Sequence, residues 1–212
     1  MIEQSRRYAA MAAVTLALLL PGARHAGAQA AATAPAKSAA TTLAGTGSIV
    51  FKGTSTLHDF EGRVAVQPFT IRISDGEGRA ARWSAEATVP VAQMNTGNAK
   101  RDKSMYEMFE LPSFPSIRGK LEDSPVPRDG SGTVNMTLQI RNQRQTVPVQ
   151  VTGWRMQGGE LTFHGAAQVS LNQFGLVRPS VLKMIKVRDT VTLEGDFRAA
   201  PKGRVVAQGE SR

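Results

Sequence analysis

Between residues 48 and 197 one pattern recurs: apolar and polar residues alternate with a period of two, in runs bounded by Gly, Pro, Asn or Asp. That period places successive side chains on opposite faces of a β-strand, so each run predicts a half-buried strand. Residues 48–53 set Ile49 and Phe51 against Val50 and Lys52. Residues 60–73 continue with Val64 and Val66, then Phe69, Ile71 and Ile73. The apolar parity changes at Pro68, which marks a bend or edge position. Residues 82–90 put Trp83, Ala85, Ala87 and Val89 opposite Ser84, Glu86 and Thr88. Ile117 and Leu121 oppose Arg118 and Lys120, and Val134, Met136, Leu138 and Ile140 oppose Asn135, Thr137 and Gln139. Residues 141–144 form a polar turn, after which Val147, Val149 and Val151 make the return strand. Leu161, Phe163, Gly165, Ala167 and Val169 share a face of the next run, as do Val187, Val191, Leu193 and Phe197 of the last.

Two stretches depart from this pattern. Residues 100–111 carry Met105, Met108 and Phe109 at helical spacing, which predicts a short amphipathic helix ended by Pro112. Residues 172–186 read as a loop, with a turn of helix at 181–185. About eight strands in sequential hairpin order, with one short helix, define an all-β domain. A closed up-and-down barrel and a two-sheet sandwich both satisfy that order. Closure removes exposed strand edges, and an eight-stranded barrel is wide enough for one small ligand. Ala85, Ala87, Gly165 and Ala167 are small and Met136 is flexible, so the apolar faces suit an enclosed space better than a tightly filled core.

The first residues do not belong to that pattern. Arg6 and Arg7 precede an apolar run of 13 residues at 8–20, Pro21-Gly22 breaks it, and Ala26-Gly27-Ala28 and Ala28-Gln29-Ala30 offer small-x-small cleavage sites. Residues 1–28 therefore read as a secretory signal peptide, cleaved after Ala28 or Ala30. The run is shorter than the ~18 apolar residues of a spanning helix. Ser5-Arg6-Arg7 touches the twin-arginine export pattern but lacks its hydrophobic and Lys positions, so the export route stays open. Residues 29–43 read as a flexible Ala/Thr/Pro linker, 44–200 as the folded domain and 201–212 as a disordered tail. The chain has no cysteine, which excludes disulfides, thiolate metal sites and a lipid-modified N-terminal Cys. Together these features predict a periplasmic or secreted protein with no stable membrane insertion.

Charge points to no particular partner. The net charge of +9 falls to +7 without residues 1–28 and to +4 over residues 43–198. Lys and Arg are scattered among Asp and Glu rather than gathered on one face, so the sequence gives no sign of nucleic-acid binding.

Several motifs together resemble the YceI-like family of exported polyisoprenoid-binding proteins. Residues 55–62 (STLHDFEG) are similar to the family's Ser-Thr-x-His-Asp-Phe-x-Gly start. Thr96-Gly97 followed by Arg101-Asp102 is similar to its Thr-Gly and Arg-Asp pair, and Phe114-Pro115-Ser116-Ile117 to its Tyr-Pro-x-Ile-x-Phe. Gly119 stands where that pattern often has Phe. Asn172-Gln173-Phe174-Gly175-Leu176 resembles the family's Phe-Gly turn, and Val187-Arg188-Asp189-Thr190-Val191 its last strand. The resemblance covers residues 45–198. It implies a lipocalin-like antiparallel β-barrel of eight strands that stores or transports a long isoprenoid, of the quinone or polyprenyl phosphate type, without covalent attachment.

An isoprenoid tail has no hydrogen-bonding groups, so its site must be a long apolar tunnel. The candidate lining is Trp83, Ala85, Ala87, Ile117, Leu121, Met136, Leu138, Phe163, Ala167, Val191 and Leu193. Met105, Met108, Phe109 and Phe174 are candidates to cap a mouth. Arg101, Lys103, Lys183 and Lys186 are candidates to meet an anionic head group there, and Arg101 alternatively pairs with a carboxylate to fix the turn.

Catalysis has little support. Of the two histidines beyond the leader, His58 sits beside Asp59 in a turn and His164 alternates outward from Phe163. No metal-ligand spacing, nucleophile elbow, phosphate loop or cofactor motif occurs. The chain reads as a binding protein rather than an enzyme. The competing reading is a structural or protein-interaction β module of the cell envelope, with a filled core and no lipid. The oligomeric state stays open, a homodimer among the alternatives.

Overall fold

The computed structural model describes residues 40–56, 58–74, 80–177, 180–181 and 185–202. The alternating runs become strands β1 (Ala40–Ser55), β2 (Phe60–Ser74), β3 (Arg82–Pro90), β4 (Ser116–Pro125), β5 (Gly132–Ile140), β6 (Gln143–Gln157), β7 (Glu160–Ser170) and β9 (Ile185–Pro201). A two-residue strand, β8 (Ser180–Val181), folds back onto the start of β9. Every neighbouring pair is antiparallel, in the order β1 to β7 and then β9, and β1 also pairs with β9. That last pairing closes the sheet into an eight-stranded barrel, which decides between the two architectures the alternation allows. With β1 and β9 joined, the sheet has no terminal edge strand, although β2 pairs with β3 only from Thr70 to Ser74 and β4 with β5 only at Arg118–Lys120.

The parity change at Pro68 has a structural cause. Gly45 pairs with Phe69 and Gly47 with Val66, so Gln67 and Pro68 bulge opposite the single residue Thr46. The bulge turns Val64, Val66, Phe69 and Ile71 all inward, each at most 8% exposed.

Several boundaries differ from the sequence reading. Ala40, Thr41, Thr42 and Leu43, read as the end of the linker, are already in β1, and Leu43 is buried because it packs into the core. Gln143 and Arg144, read as turn, pair within the β5–β6 hairpin; the turn is Arg141 and Asn142, with Arg141 at φ 55°. The helical turn expected at 181–185 is instead the β8–β9 hairpin. A 3₁₀ turn forms earlier, at Asn172–Phe174, closed by Phe174 N–H donating to Leu171 O at 3.1 Å. The proposed signal peptide, residues 29–39 of the linker and residues 203–212 of the tail lie outside the described residues. Among the described residues no helix is long and apolar enough to cross a membrane.

The helix α1 (Ala99–Phe109) lies between β3 and β4. Asn98 caps it, its side chain accepting from Lys100 N and Arg101 N at 3.1 Å each. Glu110 ends it in a left-handed conformation, φ 53°, two residues before Pro112. Met105 and Phe109 are buried against the barrel, which fixes the helix over the end where β3 finishes and β4 begins.

Candidate functional site

Inward side chains are not distributed evenly along the barrel. At the end where β3 starts, five aromatic rings pack into one layer. Phe69 meets Phe197 edge-on at 6.0 Å, and Phe197 stacks on Phe163 at 5.0 Å. Phe163 lies 5.3 Å from Trp154 and 5.7 Å from Trp83, and the two tryptophans are 4.8 Å apart. Room for Phe197 comes from glycine: a Cβ on Gly47 would lie 2.5 Å from its ring and one on Gly195 2.8 Å from it.

Between this aromatic floor and α1 lies a cavity of about 610 Å³. Its wall is almost wholly apolar because it is built from the inward parity of every barrel strand. β3 contributes Trp83, Ala85 and Ala87, β4 Ile117 and Gly119, β5 Met136 and Leu138, β7 Phe163 and Ala167, and β9 Val191 and Leu193. The registers put small residues side by side. Ala87 pairs with Gly119, and Gly165 pairs with Gly195, so the strand backbone itself bounds the space. Met105, Met108 and Phe109 of α1 line the opposite end. Beside α1 the wall turns polar, with Ser55, His58, Thr96, Asn98, Lys100, Arg101 and Ser104.

The segment that carries α1 is fixed to the barrel. Arg63 and Asn95 exchange backbone hydrogen bonds of 2.8 and 3.0 Å. Tyr106 Oη donates to Met94 O at 2.7 Å. Asp102 accepts from Thr96 N and Thr96 Oγ1 at 2.9 and 2.6 Å. Arg141, in the β5–β6 turn, pairs with Glu110 and lies over the Phe114 ring, 5.6 Å from its centroid. The helix is thus anchored at both ends, and its N-terminal turn faces the opening.

The structure gathers all but one of the expected lining residues onto one wall. The exception is Leu121, which points inward but is 1% exposed and packed into the core. At the mouth, Phe174 is likewise not on the wall. The 3₁₀ turn draws it, with Leu176, under the β7–β9 loop, where it is 1% exposed. Arg101 lines the opening, but Lys103 does not. Two residues on, a helix has turned by about 200°, and Lys103 sits on the outer face of α1 with Tyr106 and Glu107. Lys183 and the side chain of Lys186 lie outside the described residues. The alternative carboxylate partner for Arg101 is not formed among the described residues; its guanidinium lies over the Phe60 ring, 5.1 Å from the centroid.

Sequence reasoning missed Lys100, Ser104 and His58 at the opening, and Ile49, Phe51, Val64, Val66 and Phe69 along the wall. The wall residues were legible, since they carry the inward parity of β1 and β2. His58 is placed by a backbone turn, its N–H donating to Ser55 Oγ at 3.1 Å while that hydroxyl donates to His58 O at 2.6 Å. His164 is half-exposed on the outer surface, with Nδ1 3.0 Å from Asp196 Oδ1. Among the described residues no group of three or more His, Asp or Glu is placed to hold a metal ion.

A closed antiparallel eight-stranded barrel around an apolar cavity defines a lipocalin-like barrel. The chain belongs to the YceI-like family: the model of the YceI-like domain matches residues 29–199. Solved structures agree on the fold. BcnA of Burkholderia cenocepacia is 19% identical, with a TM-score of 0.61 over 73% of this chain and 96% of that one. A polyisoprenoid-binding domain from Saccharophagus degradans is 14% identical, with a TM-score of 0.55 over 75% of this chain and 99% of that one. The YceI protein of Campylobacter jejuni is 17% identical, with a TM-score of 0.52 over 66% of this chain and 84% of that one. At these identities the likeness concerns the fold alone. No curated protein matches the sequence.

Proposed function

We propose that this protein binds a long isoprenoid lipid non-covalently inside the barrel and stores or carries it in the periplasm. The observation that carries the reading is the cavity of about 610 Å³, floored by aromatic rings and walled by small and aliphatic side chains. Such a wall discriminates by shape and hydrophobicity alone, and each buried CH₂ of a ligand contributes about 0.8 kcal/mol. Membership of the YceI-like family and the fold shared with a polyisoprenoid-binding domain support the same ligand class. The leader-like residues 1–28 support export. The competing reading, a filled β core acting only as an interaction module, does not account for a space of this size.

Organic extraction of protein purified from its native envelope, followed by mass spectrometry, tests the ligand class. The expected result is a prenyl lipid in stoichiometric amount; repeated recovery of empty protein that takes up no prenyl lipid would overturn the reading. Ala87→Trp sharpens the test, because Ala87 faces the cavity beside Gly119. The new ring should displace lipid yet cost less stability than the ~1–3 kcal/mol of overpacking a filled core. Fractionation with N-terminal sequencing tests export, with cleavage expected after Ala28 or Ala30.

A further inference from the structure

The wall is apolar from the aromatic floor up to Met105 and Met108, and then its chemistry changes within one helical turn. Lys100, Arg101 and Ser104 of α1 and His58 of the β1–β2 connection line the same opening. The contacts of the two cations leave their donors available. Arg101 lies over the Phe60 ring at 5.1 Å, a contact through the guanidinium face that spares its N–H groups. Neither Arg101 nor Lys100 forms an ion pair among the described residues. Lys52, Arg63, Arg82, Lys120 and Arg141 each hold a carboxylate.

Nor does a carboxylate of the described wall residues neutralise the opening. Glu194 is the one acidic residue among the described wall residues, and its carboxylate binds Lys52 Nζ at 2.6 Å. Asp102, on α1, accepts from Thr96. Asp59 follows His58 in sequence but does not line the opening. An apolar tunnel therefore ends in two cations whose charge no described wall residue balances.

We propose that the ligand's head is anionic, of the phosphate-ester type, and that Arg101 and Lys100 receive it at this opening while its chain fills the barrel. This rests on the isoprenoid reading above and selects within it. A guanidinium presents N–H groups in a planar fork that matches phosphate oxygens, and an ammonium adds a point charge beside it. A quinone head is uncharged and would leave both cations as they are. The head would stay at the solvent edge, so its desolvation cost is small, while the tail supplies the affinity through burial.

The test is calorimetric titration of the delipidated full chain, in one detergent, with three probes: a polyprenyl monophosphate, the polyprenol of equal chain length, and inorganic phosphate. The monophosphate is expected to bind at least about tenfold more tightly than the alcohol. That advantage should shrink in Arg101→Gln, vanish in Arg101→Gln with Lys100→Gln, and partly survive in Arg101→Lys. Affinity for the alcohol should be unchanged throughout, which separates head recognition from damage to the fold. Equal affinities in the native protein, or equal loss of both lipids in the variants, would overturn the proposal and leave the isoprenoid reading standing. Binding of neither lipid would overturn both. Inorganic phosphate displacing the monophosphate at equal concentration would mark a free-anion site and overturn the assignment to a lipid head.

Discussion

Gly47 and Gly195 face each other's neighbours across the β1–β9 pair, and between them they admit one ring. A Cβ on Gly47 would meet Phe197 at 2.5 Å and the backbone oxygen of Asp196 at 2.8 Å. The side chain can swing away; the backbone oxygen cannot. Gly47→Ala should therefore cost about 1–3 kcal/mol, the range of an overpacked core, read as a lower urea midpoint with an unchanged slope. Gly119 works in the opposite sense. It stands where the family pattern often has Phe, and a Cβ there would lie 2.9 Å from Met136 Sδ. Its missing side chain is cavity volume. Side-chain parity shows which residues turn inward, but not which of them remain uncovered. Leu121 and Ala85 share parity and pair directly, yet only Ala85 lines the cavity. Phe174 was misplaced for a similar reason, since hydrophobicity in a loop does not say which way a 3₁₀ turn will point it.

At the scale of the element, α1 decides how the opening is furnished. Its first turn presents Lys100 and Arg101, and the Asn98 side chain holds both of their backbone N–H groups. Asn98→Ala should cost about 1 kcal/mol and raise amide exchange in the first turn of α1 more than at Met105 and Phe109. Equal exchange along the whole helix in the variant and the native protein would contradict this. The existence and end of the helix were legible from Met105, Met108, Phe109 and Pro112. Its orientation was legible in part, because helical spacing alone separates Arg101 from Lys103. The strands were legible because period-two alternation is local. The β8–β9 hairpin was not, because residues 172–186 carry no alternation strong enough to outweigh a loop reading.

For the whole molecule, the decisive contact is the one the sequence could not show. β1 and β9 are separated by most of the chain, and local pattern carries no record of which strands meet last. Lys52 and Glu194 join across that seam at 2.6 Å. The hydrogen bond to Glu194 raises the Lys52 pKa above its ordinary 10.5. The pair favours the charged lysine in the folded state, so its contribution is present in full below the ordinary value and is lost as pH rises through the raised one. The stability difference between the native protein and Lys52→Met should stay flat across neutral pH and diminish above about 10.5. Urea unfolding across that range measures it; a difference that changes between pH 6 and pH 9 would contradict it. Being exposed, the pair is expected to have a small effect that is sensitive to salt.

The aromatic floor has a further consequence. The sequence contains two tryptophans, and both lie in that floor, 4.8 Å apart. Trp83 also has no oxygen acceptor for its indole N–H among the described residues. The protein's tryptophan emission, selected by excitation near the red edge of the band to avoid tyrosine, therefore originates in the aromatic floor, at the end of the cavity away from α1. A chain long enough to touch the floor should shift or quench that emission, whereas one that stops short should bind silently. Titrating prenyl lipids of increasing length against fluorescence would turn the barrel into a ruler for its own depth.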